Sequence, residues 1–270
     1  MSANGARAEN LTPAAVAELQ RRAEEGRVVV IALTDEELTA LDGPEAEQVA
    51  PRPWYEEQDD ATRETACVVA LRGLAARGIA LPSEVLPDGS VNVALPDDVH
   101  AALAMRRAAS VIVVAHQQVE RGMQARVLYG QGPRLVLEEH VTGGGLHTFS
   151  VAPLDQAVDD LLALVDPEGK AGDADAPPRT LTLPEVAAGR DGLGVLNDTR
   201  CVTVLGRIAL GAGGEPVEER VSVYALADRV ELAGPREQGT QTVLEVGRVS
   251  RRRLRARLAE LLSDGPREQR

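Results

Sequence analysis

From Ser110 onward the hydrophobic period of this chain becomes two, and it holds through four successive segments. They are residues 110–117, 124–130, 133–140 and 146–152, rich in Val, Leu and Ile. A period of two lines one face of an extended chain, so these segments read as strands. The connections are short, "GQGP" between the second and third and "VTGGG" before the fourth, which predicts antiparallel neighbours. A helix closes the series over 155–165, apolar along Val158, Leu161, Leu162 and Val165. The same order then returns. Residues 200–210, 219–226, 228–234 and 241–247 read as four strands, and a helix follows from Ser250, apolar along Leu254, Leu258, Leu261 and Leu262. Val158, Leu162 and Val165 match Leu254, Leu258 and Leu261 at one constant offset. Identity between the series is weak, but the order of elements predicts an internal structural duplication.

Upstream the pattern is mostly helical. Residues 12–25 form a helix with Thr12 as N-cap and Pro13 in the first turn, after a frayed start. Residues 27–33 read as a strand, and 34–43 as a short helix capped by Thr34 or Asp35. The polar stretch 45–58 is broken by Pro51 and Pro53 and carries Trp54 and Tyr55, which are expected to anchor it to the core. A long helix over 60–78 places Cys67, Val68, Leu71, Leu74 and Ala75 at helical spacing and stops at Gly78. A turn, a short strand and a further helix with an acidic first turn follow over 87–110. Helix, strand and helix in this order are similar to a winged helix. The long helix offers only Arg63, Arg72 and Arg77, with Glu64 among them, which is poor equipment for DNA.

The expected fold is therefore mixed α/β (α+β), with a central antiparallel sheet built from two pseudo-symmetric strand-rich halves and flanking helices. The expected divisions are an N-terminal helical extension at 1–26 and a first half at 27–165 containing the winged-helix-like segment. A Pro-, Gly- and Asp-rich linker at 166–180, a second half at 181–262 and a disordered tail at 263–270 complete the chain. A short helix after Pro184 is also expected.

Charge and motif content narrow the chemistry. Lys plus Arg number 29 against 42 Asp plus Glu, a net charge of −13, which argues against a general nucleic-acid role. No secretory signal and no apolar run long enough to cross a bilayer is visible, so a cytoplasmic protein without membrane insertion is expected. The Ala-, Arg- and Gly-rich composition points to a GC-rich bacterial genome. Cys67 and Cys201 lie far apart and read as buried thiols rather than a disulfide. His140 and His147 flank "VTGGGL" with Glu138 and Glu139 nearby, but a third ligand for a metal is not evident. "GGG" at 143–145 and "GAGG" at 211–214 lack the lysine or helix of a phosphate loop and read as hairpin connections. Ser250 and Asp155 read as helix caps. No catalytic constellation, cofactor or metal site is expected, and the chain is not expected to be an enzyme.

The last helix breaks the acidic trend. Arg248, Arg251, Arg252, Arg253, Arg255 and Arg257 fall beside its leucine stripe. They are a solvated face with stems over apolar surface, or a docking site, centred on Arg251 and Arg255, for an acidic protein surface.

The segments "TRETACVVALRGLAARGIALP", "ARVLYGQGPRLVLEEH" and "FSVAPLDQAVDDLLALV", echoed by "VTVLGRIAL" and the C-terminal helix, resemble the EspG family. These are cytosolic chaperones of actinobacterial type VII secretion. The resemblance spans roughly residues 27–262 in the order and texture of elements. It implies a pseudo-two-fold central sheet beside helical bundles, and binding of the hydrophobic tips of secreted helical heterodimers. The expected function is a non-catalytic chaperone or adaptor for such helical substrates. The alternative is a structural or regulatory subunit of a larger assembly. Leu135 and Val136, with the strand at 127–129, are the expected sheet contribution to partner binding. Leu146 and Phe149 beside the glycine loop, and Tyr224 in the second half, complete the expected apolar contacts.

Overall fold

The computed structural model describes residues 3–43, 46, 48–85, 91–119, 122–182, 199–210, 215–238 and 241–263. The order of elements is α1 (Ala3–Glu24), β1 (Val28–Thr34), α2 (Asp35–Asp42), α3 (Pro53–Glu56), α4 (Asp60–Ala76), β2 (Leu81–Val85), β3 (Val91–Ala94) and α5 (Asp97–Ala108). It continues with β4 (Val111–Val119), β5 (Gly122–Gln131), β6 (Leu135–Val141), β7 (Leu146–Pro153), α6 (Leu154–Val165), β8 (Arg179–Thr182), β9 (Cys201–Leu210), β10 (Pro216–Ala225), β11 (Val230–Gln238), β12 (Gln241–Arg248) and α7 (Arg251–Leu262). This is a mixed α/β fold with a large antiparallel sheet and flanking helices. All eight strands of the two expected series form.

Contacts divide the chain differently from the expected halves. One unit joins Met1–Ala109 to Leu137–Pro153, and the other joins Ser110–Val136 to Leu154–Arg270. Each unit is thus assembled from two separate stretches of sequence.

In the first unit, β1 pairs antiparallel with β7, from Val28 opposite Val151 to Thr34 opposite Leu146. The chain leaves β1 directly into α2 through a capping box. Thr34 Oγ1 accepts from Glu37 N, and Glu37 Oε2 accepts from Thr34 N. Helix α1 begins at Ala3, buries Leu19 and Ala23, packs on α5, and Arg22 Nη1 donates to both carboxylate oxygens of Asp98 at 2.9 Å. Strands β2 and β3 form a separate two-stranded sheet between α4 and α5 in sequence, which completes the winged-helix-like order. Strand β2 was not expected: Pro82 interrupts its apolar pattern, and Ser83 falls where the register shifts.

In the second unit the strand order is β5-β4-β9-β10-β11-β12-β8, antiparallel throughout. Alternate residues Val111, Val113 and Ala115 of β4, Leu205 of β9, and Val221 and Val223 of β10 enter one core. Val158, Leu161, Leu162 and Val165 of α6 join them there, as do Leu254, Leu258 and Leu261 of α7. Each fully buried Leu contributes about 1.5–3 kcal/mol relative to exposure, so the two helices stabilise one shared core. The positions matched by the repeat are thus all buried. A smaller cluster of Leu181, Ala233 and Val246 holds the half-buried Tyr224.

The expected linker at 166–180 is held in place by hydrogen bonds within this unit. Asp166 accepts from Lys170 N at 2.7 Å and Ala171 N at 2.9 Å. Gly172 O accepts from Arg251 N, Asp175 Oδ1 accepts from Ser250 N, and Ala176 N donates to Arg248 O. Its composition prevents regular structure but leaves these polar groups free to bind the ends of β12 and α7. The expected helix after Pro184, the "GAGG" turn and most of the expected tail lie outside the described residues.

Candidate protein-interaction surface

Helix α4 begins where Asp59 Oδ1 accepts from Thr62 N at 2.8 Å, a hydrogen bond that holds the Asp59 carboxyl below its ordinary pKa. The helix packs on α2 and buries only Ala70 and Leu74. The expected stripe through Val68 is corrected, since Val68 is 57% exposed and Val69 is 58% exposed. The sequence from Ala66 to Leu71 is apolar on nearly every side of the helix, so periodicity did not single out the face that α2 covers. Ala61, Thr62, Thr65, Gly73 and Ala76 share the outward side with these valines, and Arg72 is its one basic residue.

Two clefts flank α4. One, of about 750 Å³, is lined by Thr65, Ala66, Val69, Ala70 and Gly73 of α4, with Glu36, Glu37, Asp59 and Trp54 around them. The other, of about 650 Å³, is lined by Cys67, Val68 and Leu71, with Tyr55, Arg52, Arg63, Glu56, Asp60 and Glu64. The short helix α3 stands between sequence and site. Its Tyr55 is buried, as expected of an anchor, whereas its Trp54 is 37% exposed at the first cleft. Arg52 and Arg63 lie over the Tyr55 ring at 5.0 and 5.4 Å, and Arg63 also donates to the carbonyls of Tyr55 and Glu56.

A buried ionic chain holds α3 in position. Asp35 Oδ2 accepts from the backbone N–H groups of Trp54 at 2.8 Å and Tyr55 at 3.0 Å. Its Oδ1 meets His147 Nε2 at 2.6 Å, and His147 Nδ1 meets Glu139 Oε1 at 2.6 Å. Glu139 Oε2 accepts from Arg106 Nε at 2.9 Å, Arg106 Nη1 reaches Asp42 at 2.7 Å, and Asp42 also holds Arg107. The imidazole is fully buried and bonded to a carboxylate at each nitrogen, which calls for a proton on both. Burial pulls its pKa down, but the hydrogen bonds and charges of Asp35 and Glu139 outweigh that and hold it above the ordinary imidazole value. Gly145 belongs to the same construction. Its carbonyl accepts from Asp35 N, its φ is +75°, and a Cβ there would stand 2.6 Å from Asp35 Oδ2. The "VTGGG" connection is thus pinned at its last glycine rather than adaptable throughout.

The expected partner-binding residues fall into different environments. Leu135, Val136, Val127, Tyr129 and Phe149 are buried, so they build the sheet and do not present a surface. Strands β6 and β7 are covered along most of their length, so even the adjacent Leu135 and Val136 are both buried. Tyr224 is half-buried in its small cluster, while Leu146 is 41% exposed. Arg251 is exposed at the start of α7, and Arg255 is engaged within the chain, donating to Asp159 at 2.7 Å and Asp155 at 3.1 Å on α6. Arg257 pairs with Glu219 and Glu260. Part of the acidic surface expected to meet the arginine helix is therefore the neighbouring helix of the same unit. Ser250 caps α7 as expected, accepting from Arg253 N, but Asp155 lies inside the first turn of α6 and serves Arg255 instead.

Among the described residues no three His, Cys, Asp or Glu side chains are placed to hold a metal ion. Cys67 and Cys201 are free thiols, half-buried rather than fully buried. Burial pushes the Cys201 thiol up, away from the thiolate form. His147, which flanks the glycine connection together with His140, has both nitrogens occupied by carboxylates. None of the described helices is long and apolar enough to cross a membrane.

No protein-family profile and no curated protein sequence matches this chain. Among solved structures it is similar to the Mycobacterium tuberculosis type VII secretion system chaperone EspG5, whose structure was determined in complex with the PE25–PPE41 dimer. The likeness covers 87% of this chain and 96% of that one, with a TM-score of 0.56 and 11% sequence identity. At that identity the two chains share an architecture: a mixed α/β fold of the kind found in an EspG chaperone.

Proposed function

We propose that this chain is a non-catalytic, cytoplasmic chaperone or adaptor that binds a helical protein, as EspG5 binds the PE25–PPE41 dimer. The observation that carries this reading is the outward face of α4, where Val68 and Val69 stand exposed between two clefts and beside Trp54. A water-facing apolar helix surface costs solubility unless a partner covers it, so its presence favours a docking role. The EspG-like fold adds the class of partner: helical substrates of a type VII secretion system. The buried ionic chain around His147 gives the surface a rigid base, as a preformed binding site requires.

The test is a tagged pull-down from the native cytosol followed by mass spectrometry, with solubility of the recovered partner measured with and without this chain. Enrichment of small helical type VII substrates that precipitate alone supports the reading. Recovery of a large stable complex lacking them overturns it in favour of a structural subunit.

A further inference from the structure

Resting on that reading, we propose that the larger cleft of α4 takes one α-helical segment of a partner, apolar on the docking face and carrying Lys or Arg on its flank. The floor is apolar and shallow in side chains: Thr65, Ala66, Val69, Ala70 and Gly73. Small residues spaced three and four apart along a helix let a second helix approach closely. About 750 Å³ holds a few large aliphatic side chains from such a helix. A helix also brings its backbone hydrogen bonds with it. The walls here come from α2, α3 and α4, with only Thr34 contributed by a strand, so no sheet edge is offered to an extended peptide.

The rim decides the charge of the occupant. Glu36, Glu37 and Asp59 line the cleft, and among the described residues no Lys or Arg does. Glu37 is answered by Arg77, whose Nη2 lies 2.6 Å from its Oε1. Asp59 is held ionised by its hydrogen bond from Thr62 N. The chain as a whole carries −13, so the long-range field has the same sign as the rim. The smaller cleft lacks this bias, because Arg52 and Arg63 balance its carboxylates in part. A basic flank therefore gains both steering and local pairing at the larger cleft, and an acidic one is repelled.

Trp54 is the only tryptophan of the chain and lines this cleft, so its emission reports occupancy directly. The probe is a synthetic helical peptide with Leu and Ala on one face and Lys on the flanks, and its control replaces every Lys by Glu. Saturable blue-shifted Trp54 emission is expected with the Lys peptide and not with the Glu peptide. Val69→Asp, with unchanged far-ultraviolet dichroism, is expected to weaken binding about tenfold or more. Glu36→Lys is expected to weaken it about three- to tenfold, less at high salt. Equal response to both peptides, no response to either, or indifference to Val69→Asp overturns the proposal. Self-association in sedimentation that Val69→Asp abolishes also overturns it, by making a second copy the occupant. A helical substrate captured in the pull-down but not displaced by the Lys peptide leaves the chaperone reading standing and removes this cleft from it. Peptide binding without any captured substrate does the reverse.

Discussion

The two ion clusters of this molecule differ in how conspicuous they are and in what they hold. On α7, arginines crowd one short stretch and are legible at a glance, yet Arg255 meets Asp155 and Asp159 with its side chain 39% exposed and theirs more so. Around His147, six charged residues come from four separate elements, and His147, Asp35 and Glu139 are withdrawn from water completely. Water screens the first cluster, so each pair contributes little. The buried members of the second have given up their hydration, and each depends on its partners being present. Density of charge in sequence is therefore a poor guide to energetic weight.

The sharpest way to break this comparison is His147→Ala. It leaves two buried carboxylates facing a void, and denaturant unfolding is expected to show a loss of about 3–5 kcal/mol. A loss below about 1 kcal/mol would remove the contrast between the clusters. Raising the pH is a milder version of the same change. The folded pKa of His147 stands above the unfolded value of about 6.5. The contribution is therefore complete below that pH and is lost as pH rises through the folded pKa. The thermal midpoint is expected to fall over this alkaline window in the natural chain and to fall less in His147→Gln. The same slope in both would show that other groups control it.

Gly145→Ala tests the backbone support of the buried cluster. The left-handed φ and the close approach to the Asp35 carboxylate give an expected cost of about 1–3 kcal/mol. Gly144→Ala meets open space and is expected to change stability by less than about 0.5 kcal/mol. The smallest effect is expected from Arg255→Ala, about 0–1 kcal/mol and shrinking with added salt. A cost for Arg255→Ala equal to that for His147→Ala would overturn the ranking.

The sheet and its two closing helices were legible because their signals are local. Period two marked β4–β7 and β9–β12, and Val158, Leu162, Leu254 and Leu258 recur at helical spacing on α6 and α7. The base of the candidate surface was not legible because its members meet through strand pairing, with Leu33 placed opposite His147 and Asp35 carried in next to Thr34. A trace of it was present. His147 and Phe149 are alternate residues on the inward face of β7, and Glu139 interrupts the apolar run of β6. Titratable groups at core positions of two neighbouring strands ask for partners, but only the fold says that Asp35 and Arg106 answer. On α4 the difficulty is different. Its residues are nearly all apolar or small, so the sequence carries no contrast between a covered and an uncovered face.

The pairing of Val28 with Val151 bears on the order in which a growing chain can fold. As synthesis runs from the N-terminus, β1 emerges long before β7, and its partner edge stays vacant while α2 to α5 and five further strands are made. Asp35 waits equally long for His147. Until then the apolar residues of the first unit lack both their sheet and their ionic tie, and premature release or a pause before residue 153 leaves them open to wrong association. For the first half of its synthesis the chain is thus itself in need of shelter.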